Sequence, residues 1–206
     1  MIDHIVYGVP RRLAQAVAWF AGLTGAEPLR GGSHEGMGTA NFLIGLGAGA
    51  YLEIIGPDLD QPQPVGGRWF GIDRLTAPRI VTWAIRTADI DGSVAAARAL
   101  GYDPGQPTAM SRRSDAGDVL QWRLTPPQIE LNDGLVPFLI DWGSTPHPTS
   151  RDLPRTRLTS WTAIHPTPGI LQGPLAALGC QLDIAAGNRP ELIAVIEGHR
   201  GLVTLT

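Results

Sequence analysis

The sequence predicts an α+β fold: tandem βαβββ modules forming a cupped mixed sheet, with an additional C-terminal half-module. Two observations carry this. From Trp83 the chain reads WAIRTADIDGSVAAARALG to Gly101, and from Trp161 it reads WTAIHPTPGILQGPLAALG to Gly179, with the same Trp-to-Gly spacing. The opening HIVYGVPRRLAQAVAWFAGLTG (4–25) has the same grammar of strand, polar or proline-containing turn, alanine-rich helix and glycine. Such a repeat marks duplicated supersecondary units, and helices on one face of a mixed sheet give the α+β class.

The elements follow in order. IDHIVYGV (2–9) reads as a strand. The first helix carries Leu13, Val17 and Phe20 at helical spacing. Gly25 falls just after it, where a left-handed C′ residue is needed. Strands are expected at 27–29, 40–46 and 51–55, with GLGAG (45–49) turning between the last two. The second unit repeats this with Val94, Ala97 and Leu100 on its helix and strands at 108–112, 120–124 and 137–142, SDAGD (114–118) being its turn. The third runs from Leu158 through strand and helix to strands at 181–185, 192–197 and 201–205. The expected organisation is therefore paired modules over 1–145 (about 1–75 and 76–145), a linker at 146–157, and a βα-βββ extension at 158–206 packing on the same domain.

Composition excludes several classes of function. Net charge is −3 and no basic stripe interleaves with aromatics, against nucleic acid as a partner. No apolar stretch reaches membrane-spanning length and no signal-peptide pattern opens the chain. The single cysteine, Cys180, forbids an internal disulfide and fits a reducing compartment. A cytoplasmic, soluble protein with a small-molecule ligand is expected, as monomer or homodimer.

Two polar residues break the apolar strand pattern. His4 shares a face with Ile2 and Val6, and Glu53 shares one with Tyr51 and Ile55. A buried carboxylate needs a proton, a partner or a metal ion. In the second unit Trp83 falls near the His4 position, and Asp141 in PFLIDWG near the Glu53 position. His4, Glu53 and Asp141 from three strands would suit a divalent Zn, Fe, Mn, Ni or Mg ion with open coordination positions. Ion pairs with Arg86, Arg123 or His4 are the competing reading. His34 lies in a glycine-rich stretch, RGGSHEGMGTAN (30–41), mobile enough to fold over a pocket with Glu35 and Asn41 beside it, and reads equally as a pocket residue or as a solvated loop residue. His147 and His199 read as surface residues, His165 as structural, and Cys180 as an inert thiol. The glycines of GLGAGA precede a strand, so they make a hairpin turn and not a dinucleotide loop.

In combination, DHIVYGV, GGSHEGMGTANFLIGLG (31–47), AYLEIIGPD, WAIRT–DID–ARALG and VPFLIDWG resemble the glyoxalase-like domain proteins of the vicinal oxygen chelate superfamily, which includes glyoxalase, bleomycin-resistance and extradiol dioxygenase proteins. The resemblance covers most of 1–145. It implies a cupped sheet around a divalent metal that binds two vicinal substrate oxygens, with one ligand on the first and last strand of each module. The matching positions are His4, Glu53, Trp83 and Asp141. Trp83 cannot coordinate a metal, so the implied site is His4, Glu53 and Asp141, and standard glyoxalase I chemistry is not expected. Two functions stay open. One is a metal-dependent enzyme of lyase, isomerase or dioxygenase type, with Glu53 and His34 catalytic and Asn41, Tyr51, Trp83 and Trp122 lining the ligand pocket. The other is a metal-free, drug-sequestering binding protein walled by Trp83 and Trp122.

Overall fold

The computed structural model describes residues 1–113 and 119–206, so the turn expected at 114–118 lies outside the described residues. Eight strands curl into a barrel: β1 (Ile2–Gly8), β2 (Leu29–His34), β3 (Thr39–Gly47), β4 (Ala50–Pro57), β5 (Arg79–Arg86), β6 (Thr108–Arg113), β7 (Val119–Leu124) and β8 (Phe138–Asp141). Their spatial order is β1-β4-β3-β2-β6-β7-β8-β5. The two modules are visible in the pairing: β1 runs parallel to β4 and β5 parallel to β8, each pair joined through a helix, while β1 and β5 meet antiparallel between them. The modules meet along β1 and β5 over six residue pairs, whereas at the other seam, among the described residues, β2 meets β6 through the single pair Ser33 and Arg113.

Helices α1 (Leu13–Thr24) and α2 (Ile90–Ala99) lie outside this barrel. Leu13, Val17 and Phe20 are buried along α1 as their spacing requires, and Val94 and Ala97 along α2, whereas Leu100 is exposed at the helix end. Gly25, Gly101 and Gly179 all have left-handed φ (72°, 86° and 64°), which is why glycine follows each of the three long helices. GLGAGA is a hairpin turn between β3 and β4.

A short turn of helix, α3 (Ile129–Asn132), joins β7 to β8, and beyond β8 the chain makes β9 (Arg157–His165), α4 (Gly169–Ala177), β10 (Asp183–Ala186), β11 (Glu191–Gly198) and β12 (Gly201–Leu205). The order of this second sheet is β10-β9-β11-β12. Here β9 pairs parallel with the strand immediately after its helix. In the barrel modules, β1 and β5 instead pair with the third strand after theirs. The Trp-to-Gly repeat thus marks a shared strand–helix unit, and the strands that follow are arranged differently.

Strand alternation sorts the side chains into two cores. Val6, Tyr51, Ile55, Ala84, Trp122, Phe138 and Ile140 fill the barrel interior. Ile5, Ile54, Trp83, Ile85 and Leu139 face outward into a second core shared with α1, α4 and the C-terminal sheet, including Leu192, Ala194, Ile196 and Val203. Burying each such aliphatic side chain stabilises the fold by about 1.5–3 kcal/mol. Trp83 and Trp161 meet edge to face here, with ring centroids 5.6 Å apart. Among the described residues no helix is long and apolar enough to cross a membrane.

Candidate functional site

The histidines and the carboxylate of the barrel interior come from the first module. Tyr51 is the parallel partner of His4, and Glu53 lies two residues further along β4, on the same inward face. His4 and Glu53 are buried there as expected, with the His4 Nε2 atom 3.8 Å from a Glu53 oxygen. The Tyr51 ring stacks on His4 at 4.8 Å and 19°, and the Phe138 edge meets the same imidazole at 5.5 Å.

His34 joins them, and not as part of a mobile loop. Residues 29–34 form β2, a tight turn occupies 35–38, and β3 starts at Thr39. This ordered hairpin places the buried His34 Nε2 3.8 Å from the other Glu53 oxygen, while its Nδ1 lies 3.1 Å from the Thr39 hydroxyl. Asn41 binds the group together. Its amide nitrogen donates to Glu53 and stands 3.5 Å from the His34 Nε2; its oxygen accepts from the buried Arg112 at 3.0 Å. With the Asn41 NH₂ facing it, the His34 Nε2 is an acceptor, so the ring proton sits on Nδ1. Burial, only partly opposed by the Glu53 charge, pushes His34 down to about 4, so the imidazole is neutral near pH 7.

On the far side of His4 lies Asp3, which strict alternation would turn outward. The β1–β5 ladder slips between Ile2 and His4, and this bulge turns Asp3 inward beside its neighbour. Asp3 is fully buried. One oxygen lies 2.7 Å from His4 Nδ1; the other accepts from Arg86 Nε at 2.9 Å, His147 Nε2 at 3.0 Å and Trp142 Nε1 at 3.2 Å. Burial alone would raise the Asp3 carboxyl, but the bonds from His147 and His4 outweigh it and hold it well below the usual carboxylate range. His147 is consequently no surface residue: its side chain is 12 % exposed. Burial, with the Asp3 and Glu53 charges beside it, pushes Tyr51 well above its ordinary value, so its phenol stays protonated.

Two sequence expectations are corrected. Asp141 does not reach the site. It shares the outward face of β8 with Leu139, and its oxygens accept from the backbone N–H groups of Ile90 and Gly143. Trp83 also points outward, donating from its indole to the Leu135 carbonyl at 2.9 Å. The residue opposite His4 on β5 is Ala84, whose parallel partner on β8 is Phe138; Ile140 is two further on, as Glu53 is from Tyr51. The second module's counterparts of His4 and Glu53 are therefore Ala84 and Ile140, and neither can ligate.

The implied divalent metal can be tested against these donors. Both imidazoles have Nδ1 engaged, one by Asp3 and one by Thr39, which leaves both Nε2 atoms on the Glu53 side; outer partners of this kind fix metal-ligating histidines. Ligands of a tetrahedral ion bound at about 2.0–2.1 Å stand about 3.4 Å apart, so each imidazole would close on the carboxylate by about half an ångström. As they stand, each imidazole is 3.8 Å from the carboxylate, beyond hydrogen-bond distance, and Asn41 donates to Glu53 while facing the His34 Nε2. Among the described residues no three such side chains are already gathered into a coordination shell. The donor set fits in kind, with His34 in the place expected of Asp141. The space among these residues is about 20 Å³, bounded by Trp69, Phe70, Trp122, Phe138 and Trp142. That is room for about one water.

A family model described as a glyoxalase-like domain matches residues 2–179. No curated protein matches the chain in sequence. Among solved structures, a hypothetical protein from Staphylococcus aureus superimposes with TM-score 0.58 at 13 % identity, over 98 % of this chain and 83 % of its own. Methylmalonyl-CoA epimerase from Mycobacterium tuberculosis gives TM-score 0.45 at 18 % identity, over 73 % and 91 %. A single-site variant of the Streptomyces coelicolor methylmalonyl-CoA epimerase, in complex with 2-nitronate-propionyl-CoA, gives 0.47 at 20 %, over 72 % and 98 %.

Proposed function

The chain belongs to the glyoxalase-like domain family, and from that membership we propose an enzyme that acts on a small, oxygen-bearing organic substrate at Glu53, with His4, His34 and Glu53 holding one divalent ion. What supports this is a single relationship: the Glu53 carboxylate faces two imidazole Nε2 atoms whose Nδ1 atoms are both engaged elsewhere. When bound, such an ion supplies Lewis-acid polarisation of a substrate oxygen.

The chain's own residues supply the rest. Glu53 is the proton carrier, taking a proton from carbon next to a carbonyl and returning it. Asn41 orients the carboxylate through the bond it donates. Tyr51, stacked on His4, keeps the imidazole plane fixed, and Trp122 and Phe138 exclude water. Because the inner space holds about one water, an organic substrate enters only when part of the aromatic wall moves. Trp122 and Trp142 also line an outer groove of about 420 Å³, so this pair is the route of access.

The second reading is a metal-free protein that sequesters an aromatic ligand. It is favoured by the second module, which contributes Trp122, Phe138 and Trp142 and no metal donor. Calorimetric titration of metal-stripped protein with Zn²⁺ and Mn²⁺ separates the two. The enzyme reading expects one saturable site per chain, lost in His4→Ala and His34→Ala and unchanged in Asp141→Asn. Absence of that site in the wild type contradicts it.

A further inference from the structure

Asp3 collects four donors and belongs to no step described so far. We propose that Asp3 is a positioning residue that sets the tautomer of His4, and that Trp142 and His147, from the segment following β8, aim the Asp3 carboxylate to do so. The proposal rests on the reading of His4 as a working group of the site.

The geometry is directional. An ionised carboxylate only accepts hydrogen bonds. Its Oδ1 lies 2.7 Å from His4 Nδ1, so that nitrogen carries a proton, and in the neutral ring the lone pair is then on Nε2, on the Glu53 side. The Asp3 Oδ2 is held from three sides. Arg86 donates to it from Nε while its Nη2 is tied to the Gly49 carbonyl. Trp142 donates its indole N–H. His147 must donate from Nε2, because its Nδ1 accepts the backbone N–H of Thr149 at 3.2 Å. The His147 ring is wedged edge-on against Trp142 and Tyr51, at 5.6 Å from each, and Tyr51 in turn stacks on His4. The segment thus reaches His4 by two routes, through Asp3 and through Tyr51. The bulge in β1 gives the arrangement its reason: a regular strand would place Asp3 on the opposite face from His4.

Asp3→Asn is the discriminating change, because it is nearly isosteric and asymmetric. Three donors meet one side-chain atom, so the amide oxygen must face Arg86, Trp142 and His147. The amide NH₂ then faces His4 Nδ1 and can only donate to it. The His4 proton moves to Nε2, and the lone pair leaves the Glu53 side.

The test is a long-range proton–nitrogen NMR spectrum of the metal-free protein, with the His4 ring assigned by its loss in His4→Gln. The expected result is an unprotonated Nε2 in the wild type and a protonated Nε2 in Asp3→Asn. Titration with Zn²⁺ should show affinity about 10- to 100-fold weaker in Asp3→Asn, the usual effect of losing an outer partner of a ligating histidine. A protonated Nε2 in the wild type, or an unchanged tautomer in folded Asp3→Asn, overturns the proposal. The wild-type spectrum decides even if the variant does not fold. A wild-type His4 of the expected tautomer in a protein that binds no Zn²⁺ would defeat the metal reading and leave the role of Asp3 standing. Unaltered Zn²⁺ binding with an unchanged tautomer would do the reverse.

Discussion

Arg112 donates from Nη1 to the side-chain oxygen of Asn41 at 3.0 Å, and this bond decides which way the Asn41 amide faces. With its oxygen taken by the guanidinium, Asn41 turns its NH₂ toward Glu53 and His34. Gly31 makes room for the pair: a Cβ there would overlap the Asn41 oxygen and stand 2.7 Å from the Arg112 nitrogen. Gly31→Ala should therefore push the two apart, lowering stability by about 1–3 kcal/mol through overpacking and weakening ion binding without touching a ligand. Denaturant unfolding and Zn²⁺ titration measure the two effects.

Gly22 is the counter-case. It lies inside α1, and a Cβ there would meet nothing within 4 Å. Gly22→Ala should raise stability by about 0.5–1 kcal/mol, since alanine loses less backbone entropy in a helix, and should leave ion binding unchanged. A loss of stability in thermal unfolding would contradict the open surroundings assigned to this position.

Trp83→Phe should separate core from site. The substitution strands the Leu135 carbonyl that the indole now satisfies, at a cost of about 1–3 kcal/mol. Because Trp83 faces the outer core, Zn²⁺ affinity should stay at the wild-type value. A fall in affinity with a fully folded variant would place this residue in the pocket after all.

Stability should fall on mild acidification, and His34 is the cause. Burial lowers it to about 4 in the folded protein against 6.5 ordinarily. Between these values the unfolded chain binds a proton that the folded chain does not, so stability drops as pH falls through that window, by about 2 kcal/mol between pH 7 and pH 5 from this group. His34→Gln, lower in stability at neutral pH, should lack this component of the pH dependence. Urea unfolding of metal-free protein at the two pH values checks the difference. Asp3 acts lower: its stabilisation, present above the ordinary aspartate range, is lost only in stronger acid.

What the sequence disclosed and what it hid have physical reasons. His4 and Glu53 stood out because each interrupts an apolar strand, and alternation alone placed both inside. Asp141 and Trp83 were misplaced by face: Asp141 shares its side of β8 with Leu139, and that side is the outer one. Trp83 pairs with Ile5, one residue out of register with His4, and a one-residue slip in a strand reverses which side chains point inward. The sequence shows the chemistry of His34 but not its place in a strand, since Gly31 and Gly32 disguise β2, Gly31 being needed there for close packing. Asp3 was hidden altogether, because a bulge depends on the partner strand and leaves no periodic trace. The arrangement of β9 to β12 was hidden for the same reason: local sequence repeats the strand–helix unit, and long-range pairing decides the rest.

The central claim is that His4, His34 and Glu53 hold one divalent ion within the first module. An anomalous-difference map from crystals of the Mn²⁺- or Zn²⁺-loaded protein tests it most directly. A single strong peak is expected within coordination distance of both Nε2 atoms and the Glu53 carboxylate. No peak there in crystals of protein shown to be loaded, or a peak at Asp141 instead, would contradict it.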